Sequence, residues 1–237
     1  MNLSQKLRQV LPLRYCGAVI VAAGNASRMG GIDKVMAPLQ GEPMLLRSVR
    51  TFQNCEAIRE IVIVTRKDLL EQVRTLCAEY DKVTAVVEGG KDRPESVSAG
   101  LAALSKKVQL AAVHDGARPL ITDRVIDRTV RAAHTFGAAA PAIPVKDTIK
   151  SVQSGMVLET PDRSMLRAVQ TPQVFDLDLL LAALKNAATK ELTITDDCSA
   201  MEAMGMSVKI VEGDERNLKI TTPMDLKIAQ MLLEEEV

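Results

Sequence analysis

The chain has 237 residues, of which 47% are hydrophobic, so we expect one sizeable core and a single domain over residues 1–237. Its 30 Lys and Arg residues balance 30 Asp and Glu residues, and only 2% of residues are aromatic. This composition argues against nucleic acid as a partner, because the chain lacks both an overall basic field and aromatic side chains for base stacking.

Predicted strands and helices alternate through the first two thirds of the chain. Continuous apolar runs predict strands at residues 17–22, 60–65, 83–88 and 110–114. Apolar residues at helical spacing predict helices at residues 43–52, 67–80, 94–104 and 123–136. This alternation is typical of βαβ units. We therefore predict an α/β fold with a Rossmann-like, mostly parallel, twisted sheet and helices on both faces.

The pattern changes between residues 144 and 170. Polar and apolar residues alternate over residues 145–151 and 156–159, on either side of Ser154-Gly155, which is a hairpin signature. A doubly wound sheet has no place for this hairpin, so we expect a projecting β-arm that docks on a second subunit. Beyond it we predict helices at 178–188, 196–204 and 223–233, and a strand at 207–212.

The loop after the first predicted strand has the features of a phosphate site. Gly24 allows the backbone to approach a ligand, and loop N–H groups suit phosphate oxygens. Arg28 and Lys34 add the positive charge that a triphosphate needs. The spacing of Gly24 and Gly30 does not match a Walker A loop, and Ala26 interrupts the dinucleotide fingerprint. A Rossmann-type dehydrogenase is therefore disfavoured, and binding of NAD without CTP would revive it.

Asp115 follows the fourth predicted strand. Because the carboxyl ends of parallel strands meet at one edge of a sheet, Gly24, Gly89-Gly90 and Asp115 should gather there. Mg²⁺ prefers oxygen ligands, and one or two carboxylates plus substrate phosphates usually complete its shell. We therefore interpret Asp115 as a metal ligand, with a turn or helix cap as the alternative.

The cysteines and the hydropathy pattern bear on the compartment. Four scattered cysteines form no C-x-x-C pair, which indicates neither a zinc site nor a redox motif and fits a reducing, cytoplasmic environment. No apolar run approaches the roughly 20 residues that span a bilayer, so we expect no membrane association.

Taken in order, the motifs resemble those of the 2-C-methyl-D-erythritol 4-phosphate cytidylyltransferase family over about residues 17–233. They are Ala22 to Met29 with Lys34, Gly89 to Val97, His114 to Pro119, Pro144 to Lys150 with Arg163, Gln170 to Phe175, Thr195 to Asp197, and Gly213 to Thr221. The main departure is Ala26, where the family has a second loop glycine.

The resemblance implies transfer of CMP from CTP to methylerythritol phosphate with Mg²⁺ held by Asp115, in a homodimer joined through the arm. It implies a nucleotide pocket of Ala22, Ala23, Gly24, Gly90 and Ser96. It implies that Arg28 and Lys34 hold the CTP phosphates and that Lys219 approaches the α-phosphate. It implies that Arg118, Thr195, Thr148 and Arg163 bind the sugar phosphate, the last two reaching into the site of a second subunit.

Other interpretations of these residues stay open. The same chemistry on another polyol phosphate, such as ribitol 5-phosphate, would change only the surroundings of Thr148, Arg163 and Thr195. A catalytically silent nucleotide-binding scaffold would be expected to lose Lys34, Asp115 or Lys219, and the chain keeps all three. As structural alternatives, Lys219 could be a solvated charge on a terminal strand and Arg118 an ion-pair partner.

A phosphate monoester is already anionic, so the reaction that the resemblance implies requires no general base.

Overall fold

The computed structural model describes residues 1, 3–24 and 35–235. The described helices are α1 (Leu3–Val10), α2 (Met44–Asn54), α3 (Leu70–Leu76), α4 (Arg93–Ala102), α5 (Asp123–Phe136), α6 (Leu177–Thr189), α7 (Asp197–Glu202) and α8 (Pro223–Glu234). The described strands are β1 (Cys16–Ala22), β2 (Pro38–Leu39), β3 (Glu42–Pro43), β4 (Glu60–Thr65), β5 (Val83–Glu88), β6 (Leu110–Asp115), β7 (Ala138–Pro144), β8 (Ser151–Gln153), β9 (Met156–Glu159), β10 (Arg167–Val169), β11 (Gln173–Asp176) and β12 (Lys209–Glu212).

One mixed sheet forms the centre of the fold. Strand β1 lies between β4 and β6, and β4 pairs with β5; all of these pairings are parallel. Strand β11 lies antiparallel between β6 and β7, and β10 continues that antiparallel pairing along β7. Strand β12 pairs parallel with β7. Because Ala139 pairs with both Val174 and Lys209, β12 takes the opposite edge of β7 from β11.

Helices cover both faces of this sheet, as the alternation of β-strand side chains requires. Ala18 and Ile20 of β1 pack in one apolar cluster with residues of α2, α3 and α5. Val19, which points to the other face, packs with residues of α4, α6 and α7. The predicted doubly wound α/β sheet is therefore confirmed.

Local sequence explains where several helices begin and end. The Asp92 side chain accepts a hydrogen bond from the Glu95 N–H at 2.9 Å and caps the start of α4, with Pro94 in its first turn. Helix α5 ends at Gly137, which has φ +88°, a conformation that costs glycine little. Because the N-terminal cap of α4 and the C-terminal glycine of α5 are readable in the sequence, the observed bounds of both helices lie close to the predicted ones.

Some predicted elements differ from the structure. Residues 67–80 form a 3₁₀ turn and the short helix α3, because the chain turns at Cys77, whose carbonyl accepts from the Tyr80 N–H. Strand β7 was not predicted, since its alanines and prolines have weak strand propensity. The structural alternative for Lys219, a solvated charge on a terminal strand, is wrong about the strand, because Lys219 lies in the irregular segment between β12 and α8.

The arm, residues 144–170, contains the predicted hairpin with a shorter first strand. Strands β8 and β9 form a separate two-stranded sheet, so the strand predicted at 145–151 is wrong except for its last residue. Ser154 and Gly155 have φ +51° and +81°, as a two-residue hairpin turn requires. Within the described residues, no helix is long and apolar enough to cross a membrane.

Candidate active site

A cavity of about 410 Å³ opens at the carboxyl ends of β1, β5 and β6. This is where an open α/β sheet is expected to bind its ligands. More cationic than acidic side chains line it, which favours an anionic ligand. The lining residues include Ala22, Ala23, Gly24, Arg66, Lys67, Gly90, Arg93, Ser96, Asp115 and Lys219.

Asp115 lies at the floor of this cavity among three cations. Its Oδ2 atom is 2.8 Å from Lys219 Nζ and 4.0 Å from Arg118 Nε, and its Oδ1 atom is 3.4 Å from Arg93 Nε. Burial by itself would raise the pKa of the Asp115 carboxyl, but Arg93 and Lys219 outweigh it and hold that pKa well below its usual range. Asp115 is therefore a carboxylate at neutral pH.

A buried network fixes the end of β6. The Asp115 N–H donates to Thr171 Oγ1 at 3.1 Å, and that hydroxyl lies 3.1 Å from His114 Nδ1. Burial lowers the pKa of His114 to about 3, so its ring is neutral and Nδ1 can accept the Thr171 proton. His114 thus positions the strand end, and its one ring proton, on Nε2, faces the Arg118 carbonyl at 3.4 Å.

Arg93 is a site residue to which sequence reasoning assigned no role. Its guanidinium bridges Asp115 and Asp197, with an NH2–Oδ2 distance of 2.8 Å to the buried Asp197. Gln173 Oε1 accepts from the Asp197 N–H at 3.0 Å and so holds the start of α7 beneath the arginine. The sequence signal that could have found Arg93 is its position after a glycine pair and at the start of a helix. Such positions lie at the ligand-binding edge of the sheet.

Small residues line the part of the cavity next to the ends of β1 and β5. Ser96 is buried and accepts the Gly90 N–H at 3.1 Å, which ties the loop after β5 to α4. A Cβ at Gly90 would lie 2.2 Å from the Glu95 Cβ, so close packing excludes a larger residue. At Gly24 a Cβ would meet no described atom within 4 Å.

The structure does not bring every expected site residue to this cavity. Arg118 is buried beside it and donates from NH1 to the Asn217 carbonyl at 2.6 Å, which is an anchoring contact. Thr148 and Arg163 lie on the exposed arm, and Thr195 is exposed before α7. None of these four is among the described residues that line the cavity. Arg28 and Lys34 lie outside the described residues.

The donor chemistry fits a hard divalent cation that the substrate helps to hold. Asp115 presents carboxylate oxygens into the cavity, whereas the described residues contain no group of three acidic, histidine or cysteine side chains that could hold a metal by themselves. One carboxylate completed by substrate phosphates is a coordination that Mg²⁺ accepts.

The doubly wound sheet and its cation-rich cavity define an α/β protein that binds a phosphorylated ligand at the carboxyl edge of its strands. The chain belongs to the 2-C-methyl-D-erythritol 4-phosphate cytidylyltransferase (IspD) family, whose model matches residues 16–235.

Curated relatives and solved structures of this family are similar to the chain along most of its length. The 2-C-methyl-D-erythritol 4-phosphate cytidylyltransferase of Symbiobacterium thermophilum is 46% identical over 92% of both chains. That of Caldanaerobacter subterraneus is 42% identical over 91% of this chain and 97% of its own. The structure of 4-diphosphocytidyl-2C-methyl-D-erythritol synthase from Anaerococcus prevotii has a TM-score of 0.86 at 30% identity, covering 94% of this chain and all of that one.

Proposed function

We propose that this protein transfers CMP from CTP to 2-C-methyl-D-erythritol 4-phosphate in non-mevalonate isoprenoid precursor synthesis. The products are 4-diphosphocytidyl-2-C-methyl-D-erythritol and pyrophosphate. The observation that carries this proposal is the Lys219–Asp115–Arg93 arrangement at the floor of the cavity, in a chain that belongs to the cytidylyltransferase family.

The reaction needs positioning and charge neutralisation more than proton transfer. An oxygen of the substrate phosphate attacks the α-phosphorus of CTP, the new O–P bond forms, and the bond to the β-phosphate oxygen breaks as pyrophosphate leaves. The attacking monoester is already anionic, so it needs no base, which agrees with a buried and neutral His114. Lys219 would stabilise the charge that develops at the α-phosphate.

The nucleotide would occupy the part of the cavity lined by Ala22, Ala23, Gly24, Gly90 and Ser96. These small residues leave room for a flat base. In this proposal Arg28 and Lys34 hold the β- and γ-phosphates and stabilise the departing pyrophosphate.

Nucleotidyl transfer generally uses a divalent metal, and we propose Mg²⁺ with Asp115 as its protein ligand. When bound, this cation would neutralise charge on the CTP phosphates. Lys219 and Arg93 neutralise the same carboxylate in the described structure, so they would keep Asp115 ionised before substrate arrives.

The arm supports a homodimer as the active form. It exposes apolar side chains that include Val152, Met156, Leu158 and Met165, with Met156 and Met165 at 73% and 81% exposed. A second copy of the chain would cover this surface. Thr148 and Arg163 would then contact the sugar phosphate in the partner's cavity, and Arg118 and Thr195 would do so within one chain.

The test is pyrophosphate release by the purified protein with CTP and Mg²⁺. We expect release with 2-C-methyl-D-erythritol 4-phosphate and none with ribitol 5-phosphate. Release with ribitol 5-phosphate alone would keep the chemistry and overturn the substrate. CTP binding without release from either substrate would favour the silent scaffold, and NAD binding without CTP binding would favour a dehydrogenase.

A further inference from the structure

The segment that carries Lys219 is fastened to the end of the arm by buried side chains. We call residues 213–220 the Lys219 segment. Gln170, the last residue of the arm, donates from Nε2 to the Asp214 carbonyl at 2.7 Å, and its Oε1 accepts the Asp214 N–H at 3.2 Å. One side-chain amide thus satisfies both backbone groups of Asp214, as a neighbouring strand would do.

Asn217 forms a second connection between the same two parts of the chain. Its Nδ2 donates to the Thr171 carbonyl at 3.0 Å and lies 3.4 Å from Gln170 Oε1. Its own carbonyl accepts from Arg118 NH1 at 2.6 Å. Gln170 and Asn217 are 4% and 0% exposed, so these hydrogen bonds are shielded from competing water.

Packing leaves Gln170 little freedom. A Cβ at Gly213 would lie 2.5 Å from Gln170 Oε1, so the amide rests against the glycine. The Gln170 N–H donates to the Pro141 carbonyl at 2.8 Å and fixes its backbone to β7. At the far end of the Lys219 segment, the Ile220 N–H donates to the Ala117 carbonyl at 2.8 Å. Lys219 therefore lies between two anchored residues, Asp214 and Ile220.

We infer that Gln170 is a positioning residue that sets Lys219 against Asp115. The inference rests on the proposed catalytic role of Lys219.

The main test is a double-mutant cycle between Gln170→Met and Lys219→Ala, read by pyrophosphate release. Methionine keeps the length of the side chain and removes all three amide hydrogen bonds, two with Asp214 and one with Asn217. In the native background we expect kcat to fall about tenfold or more with KM for CTP within about twofold, since small misplacements of a catalytic group are costly. In the Lys219→Ala background the same substitution should change kcat by less than about twofold, because Gln170 would act through the missing amine.

Other outcomes overturn the inference. An equal proportional loss in both backgrounds would mean that Gln170 acts elsewhere, and an unchanged kcat in the native background would mean that it positions nothing. Native turnover by Lys219→Ala alone would instead defeat the proposed role of Lys219, whatever Gln170→Met does. Gln72→Met, the same change at an exposed site on α3, is the matched control and should keep native kcat.

Two further measurements apply if Lys219→Ala is too weakly active to assay or if Gln170→Met does not fold. If turnover of Lys219→Ala is below detection, a crystal structure of Gln170→Met decides, because we expect Lys219 Nζ to leave its 2.8 Å contact with Asp115 Oδ2. An unmoved Nζ would contradict the inference. If Gln170→Met fails to fold, Gln170→Glu replaces it, since it is nearly isosteric and loses the donor to the Asp214 carbonyl.

Discussion

At the scale of single residues, the site depends on one carboxylate held ionised by surrounding cations. Asp115 and Lys219 come from distant parts of the chain and meet at 2.8 Å, and Arg93 links Asp115 to the buried Asp197. An uncompensated buried carboxylate would be strongly unfavourable, so the cations stabilise the ionised form of Asp115. The same cations are then in place for a polyanionic substrate.

We predict that Lys219→Ala folds normally and loses at least about a hundredfold in kcat, because removal of one preorganised contact to transition-state charge costs about 3–4 kcal/mol. Steady-state pyrophosphate release and a thermal unfolding curve measure the two parts of this prediction. Lys227→Ala, an exposed lysine on α8, is the control and should keep native turnover. Near-native turnover by Lys219→Ala would show that Lys219 has no catalytic role.

At the scale of elements, capping sets where α8 begins, directly after the Lys219 segment. Thr222 Oγ1 accepts from the Asp225 N–H at 3.2 Å, and Asp225 Oδ2 accepts from the Thr222 N–H at 2.8 Å. This reciprocal capping box satisfies donors that a helix start leaves open. It also places Leu226 and Ala229 against the apolar cluster that contains Ile220.

We predict that Thr222→Ala lowers the free energy of unfolding by about 1 kcal/mol, the usual cost of a lost N-cap. Urea unfolding at pH 7 measures it. The control is Thr189→Ala, since the Thr189 hydroxyl bonds back to the Lys185 carbonyl and caps nothing. Equal effects of the two substitutions would contradict the capping argument.

The capping carboxylate also predicts a pH dependence. Burial opposes ionisation of Asp225, but the hydrogen bonds that it accepts from Thr221 and Thr222 together outweigh burial and lower its pKa below the usual 3.8. A lowered pKa in the folded state stabilises the protein above the unfolded pKa, and this contribution is lost as the pH falls through the folded value. The stability difference between native protein and Asp225→Asn should therefore shrink below about pH 4. A difference that stays constant down to pH 2 would rule out this linkage.

At the scale of the whole molecule, the burial of the four cysteines shows how completely the two faces of the sheet are covered. Cys16, Cys55, Cys77 and Cys198 are all free and buried. Burial raises the pKa of each thiol, that of Cys77 to about 11, which suppresses the reactive thiolate at neutral pH.

We predict that all four thiols resist a colorimetric disulfide reagent at pH 8 until the protein unfolds, and that they then react together. Joint exposure would also support our proposal that residues 1–237 form one domain with one cooperative transition. Fast reaction of a single thiol in the native protein would locate a region that opens independently.

The arm predicts the oligomeric state. Replacing the exposed Met156 and Leu158 with Asp should convert the proposed dimer to a monomer and reduce turnover, because charge would replace the apolar contact and the partner's cavity would lose Thr148 and Arg163. Sedimentation velocity and pyrophosphate release measure these effects. Replacing the exposed Met204 and Met224 with Asp is the matched control, since both lie outside the arm. A native protein that sediments as a monomer with full activity would refute the dimer.

Much of the fold was accessible from the sequence because its signals are local. The bounds of β4, β5 and α5 match their predictions, since apolar runs and helical periodicity are properties of neighbouring residues. Gly24, Gly90, Ser96, Asp115 and Lys219 were named from motifs, and the structure places them around one cavity. The roles of these residues, and of Arg28 and Lys34, stay predictions.

The sequence by itself determined the α/β class, the hairpin in the arm and the family, because hydrophobic periodicity and ordered motifs are written along the chain. Only the tertiary structure decided that Arg93 joins Asp115 to Asp197 across the cavity, and that Gln170 holds the Lys219 segment. Those contacts join residues far apart in sequence, and an isolated Arg or Gln in a motif does not specify which partner it meets. The strand order around β7 likewise depends on long-range pairing, to which its alanine-rich sequence gives little local indication.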